Sequence, residues 1–206
     1  MTPEEFRRYG HVVVDWIADY RTRLETLPVM AATAPGAIRK QLPDKPPVSP
    51  ESFESILADV DRIVVPGLLL WQHPRFFGYF PSNSSLASVL GVYLSTGLGV
   101  LGLAWQSSPA LTELEEVATD WLRQMVGLTD SWSGVIQDTA STSTLVALLC
   151  ARERVTGYGL ARGGLQAEPR PLVVYVSSHS HSSVDKATLL AGFGRDNIHH
   201  VAHDSK

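Results

Sequence analysis

Two histidines stand in a short polar segment that follows a predicted buried strand. His179 and His181 come after the apolar run 172–176, and a helical pattern follows them, with Ser182 or Ser183 as its N-cap and Gly192 at its end. In open α/β sheets, ligands bind outside the carboxyl ends of strands, and this loop has that place in the sequence. The segment therefore indicates a ligand site. A solvated loop without a ligand is the alternative.

A second candidate site is a hydroxyl-rich stretch before another predicted helix. Residues 134–136 predict a short strand, residues 137–144 are mostly small and polar, and a helix is predicted from Leu145 to about Arg154. Unpaired N–H groups and the helix dipole favour a phosphate at such a terminus, and hydroxyls add hydrogen bonds. The stretch predicts either an anion site or a Ser/Thr-rich cap with nothing bound.

A metal site is a third interpretation of the histidines in this sequence. It would use His179, His181, His199, His200 and His203. Their spacing fits no tetrahedral zinc pattern, and no cysteine pairs with them, so we predict no metal.

An aromatic segment spans residues 71–83, where tryptophan, phenylalanine and tyrosine are interrupted by prolines and a glycine. It is not a regular helix. Such rings form either part of a core or a rigid wall for a flat ligand.

Composition restricts the function classes. The chain has 206 residues, a net charge of -4 and no basic run, which argues against nucleic acid as the main partner. Cys150 is the single cysteine, which excludes an intrachain disulfide and favours a reducing compartment. The N-terminus shows no apolar signal-peptide core, so we expect a cytoplasmic protein. The uncharged stretch 86–104 is rich in glycine, which favours a buried helix packed against another subunit over a membrane span.

The remaining elements divide the chain at about residue 85. A helix is predicted from Thr2 to Leu27, a proline-rich loop over 31–50, and a second helix from Ser49-Pro50 to Pro66. Another helix follows Ser108-Pro109, and residues 198–201 predict a strand. We therefore predict a helical arm with the aromatic segment over 1–85, and an incomplete ligand-binding domain over 86–206.

Several segments together resemble one family. They are HPRFFGYFPS at 73–82, SPALTELE at 108–115, GVIQDTAS at 134–141, LVALLCAR at 145–152 and VSSHSHSSVDKA at 176–187. They are similar to the pyridoxal-phosphate-dependent aromatic L-amino acid decarboxylases, the group II decarboxylases of the aspartate-aminotransferase-like fold. The resemblance implies an α/β protein: an N-terminal helical arm, then the first part of a fold type I large domain with a mostly parallel sheet.

The resemblance also assigns roles to residues, with pyridoxal 5'-phosphate (PLP) as the cofactor. Thr139, Ala140 and Ser141 match the loop that holds the cofactor phosphate, and His181 matches the catalytic histidine that stacks on the pyridine ring. His179 falls where the family varies and receives no role. The implied substrate wall is Tyr79, Phe80, Pro81 and Ser82, and Leu101 and Leu103 match positions that reach into the neighbouring subunit's pocket. The helical arm matches the segment through which two subunits form a homodimer.

The implied reaction is decarboxylation of an aromatic L-amino acid, of the tryptophan, DOPA, tyrosine or phenylalanine type, to the arylalkylamine and CO2. Two departures stand out. Thr142-Ser143 occupies a place where related sequences commonly carry Glu-Ala. Neither Lys186 nor Lys206 matches the Schiff-base lysine motif, which in the family lies further downstream. We therefore expect an N-terminal part that is inactive alone. The alternative is a truncated, non-catalytic chain that acts only through dimerisation.

Overall fold

The computed structural model describes residues 1–31, 33–79 and 84–204. The chain folds into two compact units, Met1–Gly99 and Val100–Lys206. The division proposed at residue 85 separates segments by function rather than by compactness, and it stays a prediction.

The first unit begins with helix α1, Pro3–Arg23. Its start is a capping box, in which the Glu5 backbone N–H donates to the Thr2 hydroxyl at 3.1 Å and the Thr2 N–H donates to the Glu5 carboxylate at 2.7 Å. The α-helix ends earlier than predicted, since Leu24–Thr26 tighten into a 3₁₀ turn that the Leu27 N–H closes on the Leu24 carbonyl at 3.1 Å.

Helix α2, Phe53–Asp59, begins later than the sequence pattern suggests. The Ser52 hydroxyl, not Ser49-Pro50, caps it by accepting the Ser55 N–H at 3.1 Å. The helix continues into a π-helical turn, Val60–Val64, and a 3₁₀ turn, Val65–Gly67. The Trp16 indole N–H, 2.8 Å from the Asp61 carboxylate, and the Arg23 guanidinium hold the pKa of Asp61 below its usual value and connect α1 to this segment.

Helix α3, Leu86–Leu98, lies between a Ser85 cap and Gly99, which takes the left-handed φ of +63°. In the single chain, none of its residues is buried. The predicted burial against another subunit therefore stays a prediction. No helix among the described residues is long and apolar enough to cross a membrane.

The second unit contains the sheet. Its elements are α4, Pro109–Met125; α5, Ala140–Thr156; β1, Val174–Ser177; α6, Ser183–Leu190; and β2, Ile198–Val201. β1 and β2 pair in parallel, with Val174 opposite Ile198 and Ser177 opposite Val201. α6 joins them, so the unit contains a β-α-β connection. The core around this connection comprises Val176, Ala187, Ala191 and Phe193.

The strand predicted at 134–136 is wrong. This segment has no strand partner within the described chain and instead runs beside α4, where the Ile136 N–H donates to the Glu115 carboxylate at 2.7 Å. A Cβ on Gly134 would lie 2.9 Å from the Thr119 Cβ, so glycine permits this close approach. Helix α5 also starts at Ala140 rather than Leu145, because Thr139 caps it.

A buried arginine joins α5 to the end of α6. Arg152 is 9% exposed, and its guanidinium donates to the Ala191 carbonyl at 2.7 Å and to the Glu153 carboxylate at 2.9 Å. Ala191 is the C-cap of α6, so the cation satisfies a carbonyl at the negative end of that helix.

Replacing Arg152 by methionine is expected to lower the free energy of unfolding by about 1.5–3 kcal/mol, because the Ala191 carbonyl loses a charged donor. Urea denaturation measures this change. Arg154→Met is the matched control, since Arg154 lies on the same helix and is exposed. Equal losses in the two variants would show that the contact with Ala191 does not stabilise the fold.

Candidate functional site

The amino terminus of α5 leaves two backbone donors available. The Thr139 hydroxyl accepts the Thr142 N–H at 3.2 Å, and the Thr139 carbonyl accepts the Ser143 N–H at 2.9 Å. Within the part of the chain that the structure describes, the N–H groups of Ala140 and Ser141 have no acceptor. They are the groups that an external anion would meet at this positive helix end.

The same helix end lines a cleft that it shares with α6. The cleft has a volume of about 240 Å³ and is lined by Ser141, Thr142, Leu145, Ser183, Lys186, Ala187 and Leu190. Its lining includes hydroxyls and one lysine but no carboxylate. Among the described residues, the Lys186 side chain pairs with no acidic group. Most of the cleft's surface is apolar, and the Ser141 hydroxyl and the Lys186 cation are the groups on it that suit an anion.

His181 lies just before α6, at the carboxyl end of β1. Its Nδ1 is 2.9 Å from the Ser183 hydroxyl and accepts the Ser183 backbone N–H at 3.2 Å. The prediction that Ser182 or Ser183 is the N-cap of α6 is confirmed for Ser182. Ser182 occupies the N-cap position without a capping hydrogen bond, and the imidazole of His181 serves as the acceptor. The ring itself is exposed.

The other histidines pair locally. The rings of His179 and His203 lie 3.6 Å apart between centroids, and His203 Nδ1 is 2.8 Å from the Ser178 hydroxyl. His200 Nε2 lies 3.7 Å from the Asp185 carboxylate. Across residues 1–31, 33–79 and 84–204, no three metal-ligating side chains come together.

The aromatic segment belongs to the first unit. The ring of Trp71 lies 5.2 Å from that of Phe76 and stacks on that of Tyr79 at 5.6 Å. Tyr79 has a φ of +54°, a left-handed backbone conformation that is uncommon outside glycine, and it is 81% exposed. His73 stabilises the turn that precedes Tyr79 in the chain, since its buried imidazole accepts the Arg75 N–H at 3.0 Å. Phe80, Pro81 and Ser82, the other predicted wall residues, lie outside the described residues.

Leu101 and Leu103 belong to the second unit, in the loop before α4. Their exposed fractions are 75% and 86%. The loop is held by Ser107, whose hydroxyl lies 2.8 Å from the Ala104 carbonyl and 3.1 Å from the Leu101 carbonyl and accepts the Ala104 N–H at 3.0 Å. Two exposed leucines on a fixed loop present apolar surface outward.

Residues 35–205 match the family model described as the pyridoxal-dependent decarboxylase conserved domain. The chain belongs to this family. Its α/β fold and its cofactor, pyridoxal phosphate, follow from that membership, and both predictions are confirmed.

Relatives in this family match nearly the whole chain in sequence. It is 42% identical to phenylacetaldehyde synthase of Arabidopsis thaliana over 211 residues, which is 100% of the chain and 42% of the relative. It is 43% identical to tyrosine decarboxylase 4 of Petroselinum crispum over 204 residues, 96% of the chain and 39% of the relative. The crystal structure of Oryza sativa TDC with PLP and tryptamine superposes with a TM-score of 0.88 at 34% identity, covering 100% of this chain and 45% of that one. The chain thus spans about two fifths of the length of the curated relatives it matches.

The cleft fits one part of the cofactor. Ser141, with its free N–H and its hydroxyl, and the Lys186 cation line the cleft, and the free N–H of Ala140 lies next to Ser141 in the chain; these are donors of the kind that a phosphate requires. His181 sits beside Ser183, which lines the same cleft, so the structure brings the predicted phosphate loop and the predicted stacking histidine to one place.

Sequence reasoning missed two residues of this cleft, Ser183 and Lys186. For Ser183 the signal was present. A side chain that accepts the N–H two residues onward is the usual behaviour of Asn and Asp, and in His-x-Ser the Nδ1 of histidine takes that place. Lys186 carried no such signal, because a lysine on a short helix is normally a solvated residue.

Proposed function

We propose that the chain forms the amino-terminal part of an enzyme that decarboxylates an aromatic L-amino acid to the arylalkylamine and CO2. The observation that carries the proposal is the shared cleft of α5 and α6, with Ser141 on one side and Ser183, the hydrogen-bond partner of His181, on the other, in a chain of the pyridoxal-dependent decarboxylase family.

The proposed roles follow the geometry of the cleft. The N–H groups of Ala140 and Ser141 bind the cofactor phosphate, with Thr139 holding the helix end in shape and Lys186 adding positive charge. His181 packs on the cofactor ring and fixes its orientation. When bound, pyridoxal phosphate supplies the electron sink for the charge that remains after CO2 departs. The chain's own residues would hold that group in place and keep the carboxylate-bearing bond perpendicular to the cofactor ring.

We propose an aromatic substrate because two of the four wall residues, Tyr79 and Phe80, carry aromatic rings. Tyr79 presents an exposed ring, and Phe80, Pro81 and Ser82 follow it in sequence. The names of the relatives point to the same class, since they refer to tyrosine, phenylacetaldehyde and tryptamine. Those names differ in the aromatic group and in the product, so tryptophan, DOPA, tyrosine and phenylalanine all remain candidate substrates.

We place the cofactor lysine in sequence outside these 206 residues. Lys186 lines the cleft, where its positive charge would complement a phosphate. It does not match the family's Schiff-base lysine motif. The 206 residues alone are therefore expected to be inactive. The single cysteine supports a cytoplasmic, reducing location for the protein.

The proposal is tested by incubating the purified protein with pyridoxal phosphate and each of the four amino acids, with and without the proposed carboxyl-terminal part. We expect a bound-cofactor absorbance band, CO2 release that requires both parts, and an amine product. Release of CO2 with an aldehyde as the main product would assign the phenylacetaldehyde synthase type of reaction instead. Absence of both cofactor and CO2 with every substrate would contradict the proposal.

A non-catalytic dimerising chain is the second candidate function. An apolar groove in the first unit favours it, formed where α1 approaches α2 and α3. Its lining includes Phe6, Val14, Phe53, Leu90 and Tyr93 and is almost free of polar groups. A stable dimer of the chain that neither binds cofactor nor restores activity to the carboxyl-terminal part would favour this function.

Leu101→Asp tests the proposed homodimer. In the holoenzyme, this change is expected to abolish most activity in the opposite subunit's site while cofactor content stays near normal, because an exposed leucine becomes a charge where the partner's pocket is proposed. Mixed dimers of Leu101→Asp and His181→Ala subunits measure it. One of their two sites should receive neither change and retain activity. Full activity in the Leu101→Asp homodimer would contradict the assignment.

A further inference from the structure

Ser183 is a buried polar residue directly behind the exposed ring of His181. It is 8% exposed, and it offers the imidazole Nδ1 two groups at once, the hydroxyl at 2.9 Å and the backbone N–H at 3.2 Å. Both contacts converge on one side of the ring. The opposite nitrogen, Nε2, makes no hydrogen bond to any described residue of the chain.

These contacts determine which nitrogen carries the proton. A backbone N–H is always a donor, so Nδ1 must be the acceptor and cannot itself be protonated while the contact exists. The neutral ring therefore carries its proton on Nε2. Because Nδ1 has no hydrogen to give, the hydroxyl is the donor in the 2.9 Å contact and shares the one lone pair of Nδ1 with the Ser183 N–H.

We propose that Ser183 is a positioning residue for the decarboxylation, which fixes both the angle of the His181 ring and its tautomer, with the proton on Nε2, so that the face of the ring meets the cofactor. The inference rests on the proposed function, in which His181 packs on the cofactor ring. The ring of His181 is held at its base by the first residue of α6, so its orientation is tied to the start of that helix.

The hydroxyl of Ser183 does not serve as a phosphate ligand. It lines the same cleft as Ser141, so direct binding to the phosphate is the obvious rival role. A hydroxyl has a single hydrogen, and that hydrogen is directed to Nδ1. A fully charged phosphate accepts hydrogen bonds and offers none, so the two roles compete. Removing the hydroxyl should therefore disturb the ring of His181 and leave cofactor binding almost unchanged.

Ser183→Ala in the holoenzyme tests this, with Ser182→Ala as the matched control. Ser182 is adjacent and exposed, and its hydroxyl makes no capping hydrogen bond. Loss of one hydrogen bond to the ring is expected to lower kcat about threefold to tenfold, with KM and cofactor content changed less than about twofold. The control should retain the wild-type kcat.

A second readout does not depend on activity. In protein labelled with ¹⁵N-histidine, and with His181 assigned from the missing signals of His181→Asn, the wild type should show an unprotonated Nδ1 and a protonated Nε2. Ser183→Ala should move the Nδ1 signal toward that of a nitrogen that accepts fewer hydrogen bonds, while Ser182→Ala should not.

Three results would overturn the proposal: a wild-type His181 protonated on Nδ1, a Ser183→Ala variant that matches Ser182→Ala in kcat and in its Nδ1 signal, or a Ser183→Ala variant that loses cofactor as its main defect. Failure of the proposed function looks different, since the wild type would then release no CO2. In that case the nitrogen signals still decide whether Ser183 orients the ring.

Discussion

Replacing His181 by alanine is expected to lower turnover of the holoenzyme on the order of a hundredfold, because a misplaced reacting bond has a cost of that size. Cofactor content should fall much less. A stacking contact contributes roughly 1 kcal/mol, whereas the phosphate is held separately at the amino terminus of α5. Loss of the ring therefore affects orientation more than occupancy.

Cofactor absorbance and CO2 release, measured on the same samples, separate these effects. His179→Ala is the matched control, since His179 lies in the same loop but its ring packs on His203. The control is expected to keep most of its turnover. A His181→Ala variant whose activity falls only in proportion to its cofactor content would contradict the assigned role.

Ser141→Glu is expected to have the reverse effect and to empty the site of cofactor. Ser141 is the second residue of α5, and its free N–H faces the place proposed for the phosphate. A carboxylate there brings negative charge against a phosphate and blocks the N–H groups that would bind it. The same absorbance measurement, made over a titration of pyridoxal phosphate, gives the loss of affinity.

Thr142→Glu is the control for that experiment. It places the same charge one residue further along, at the third position of the helix that Thr139 caps. A glutamate there can reach back to the Thr139 N–H and complete a capping box, as the common Glu-Ala of related sequences would. We expect Thr142→Glu to keep its cofactor. Equal loss in both variants would show that added charge alone, and not the phosphate position, empties the site.

Local chemistry allowed some elements to be predicted well. The start of α1 follows from Thr2, Pro3 and Glu5, whose capping box the structure contains, and the start of α4 follows from Ser108-Pro109. The strands of the parallel pair were also predicted close to their places, since apolar runs between polar loops are a strong signal. In each case the signal lies within a few residues of the feature.

Other features depended on contacts distant in sequence. The segment 134–136 has the composition of a strand, but it has no strand neighbour among the described residues and hydrogen-bonds to Glu115 on α4 instead. The cap of α6 comes from an imidazole, which the usual preference for Ser, Thr, Asp and Asn does not include. The joining of α5 to α6 through Arg152 has no local sequence signal.

In the candidate site, too, some features have a local sequence signal and others depend on contacts distant in sequence. Helix-end reasoning by itself indicated an anion at residues 139–141, and a loop after a strand indicated a ligand near His181. The family resemblance was needed to name the cofactor and to connect these places with the aromatic segment. That Ser141 and Ser183, the hydrogen-bond partner of His181, line one cleft became visible only in the folded chain.

A crystal structure of the holoenzyme with pyridoxal phosphate tests the central claim most directly. The account predicts phosphate oxygens about 2.7–3.2 Å from the N–H groups of Ala140 and Ser141. It also predicts that the ring of His181 lies flat against the pyridine ring, with Nδ1 still bonded to Ser183. A phosphate bound away from the amino terminus of α5, or a His181 ring turned away from the cofactor, would contradict it.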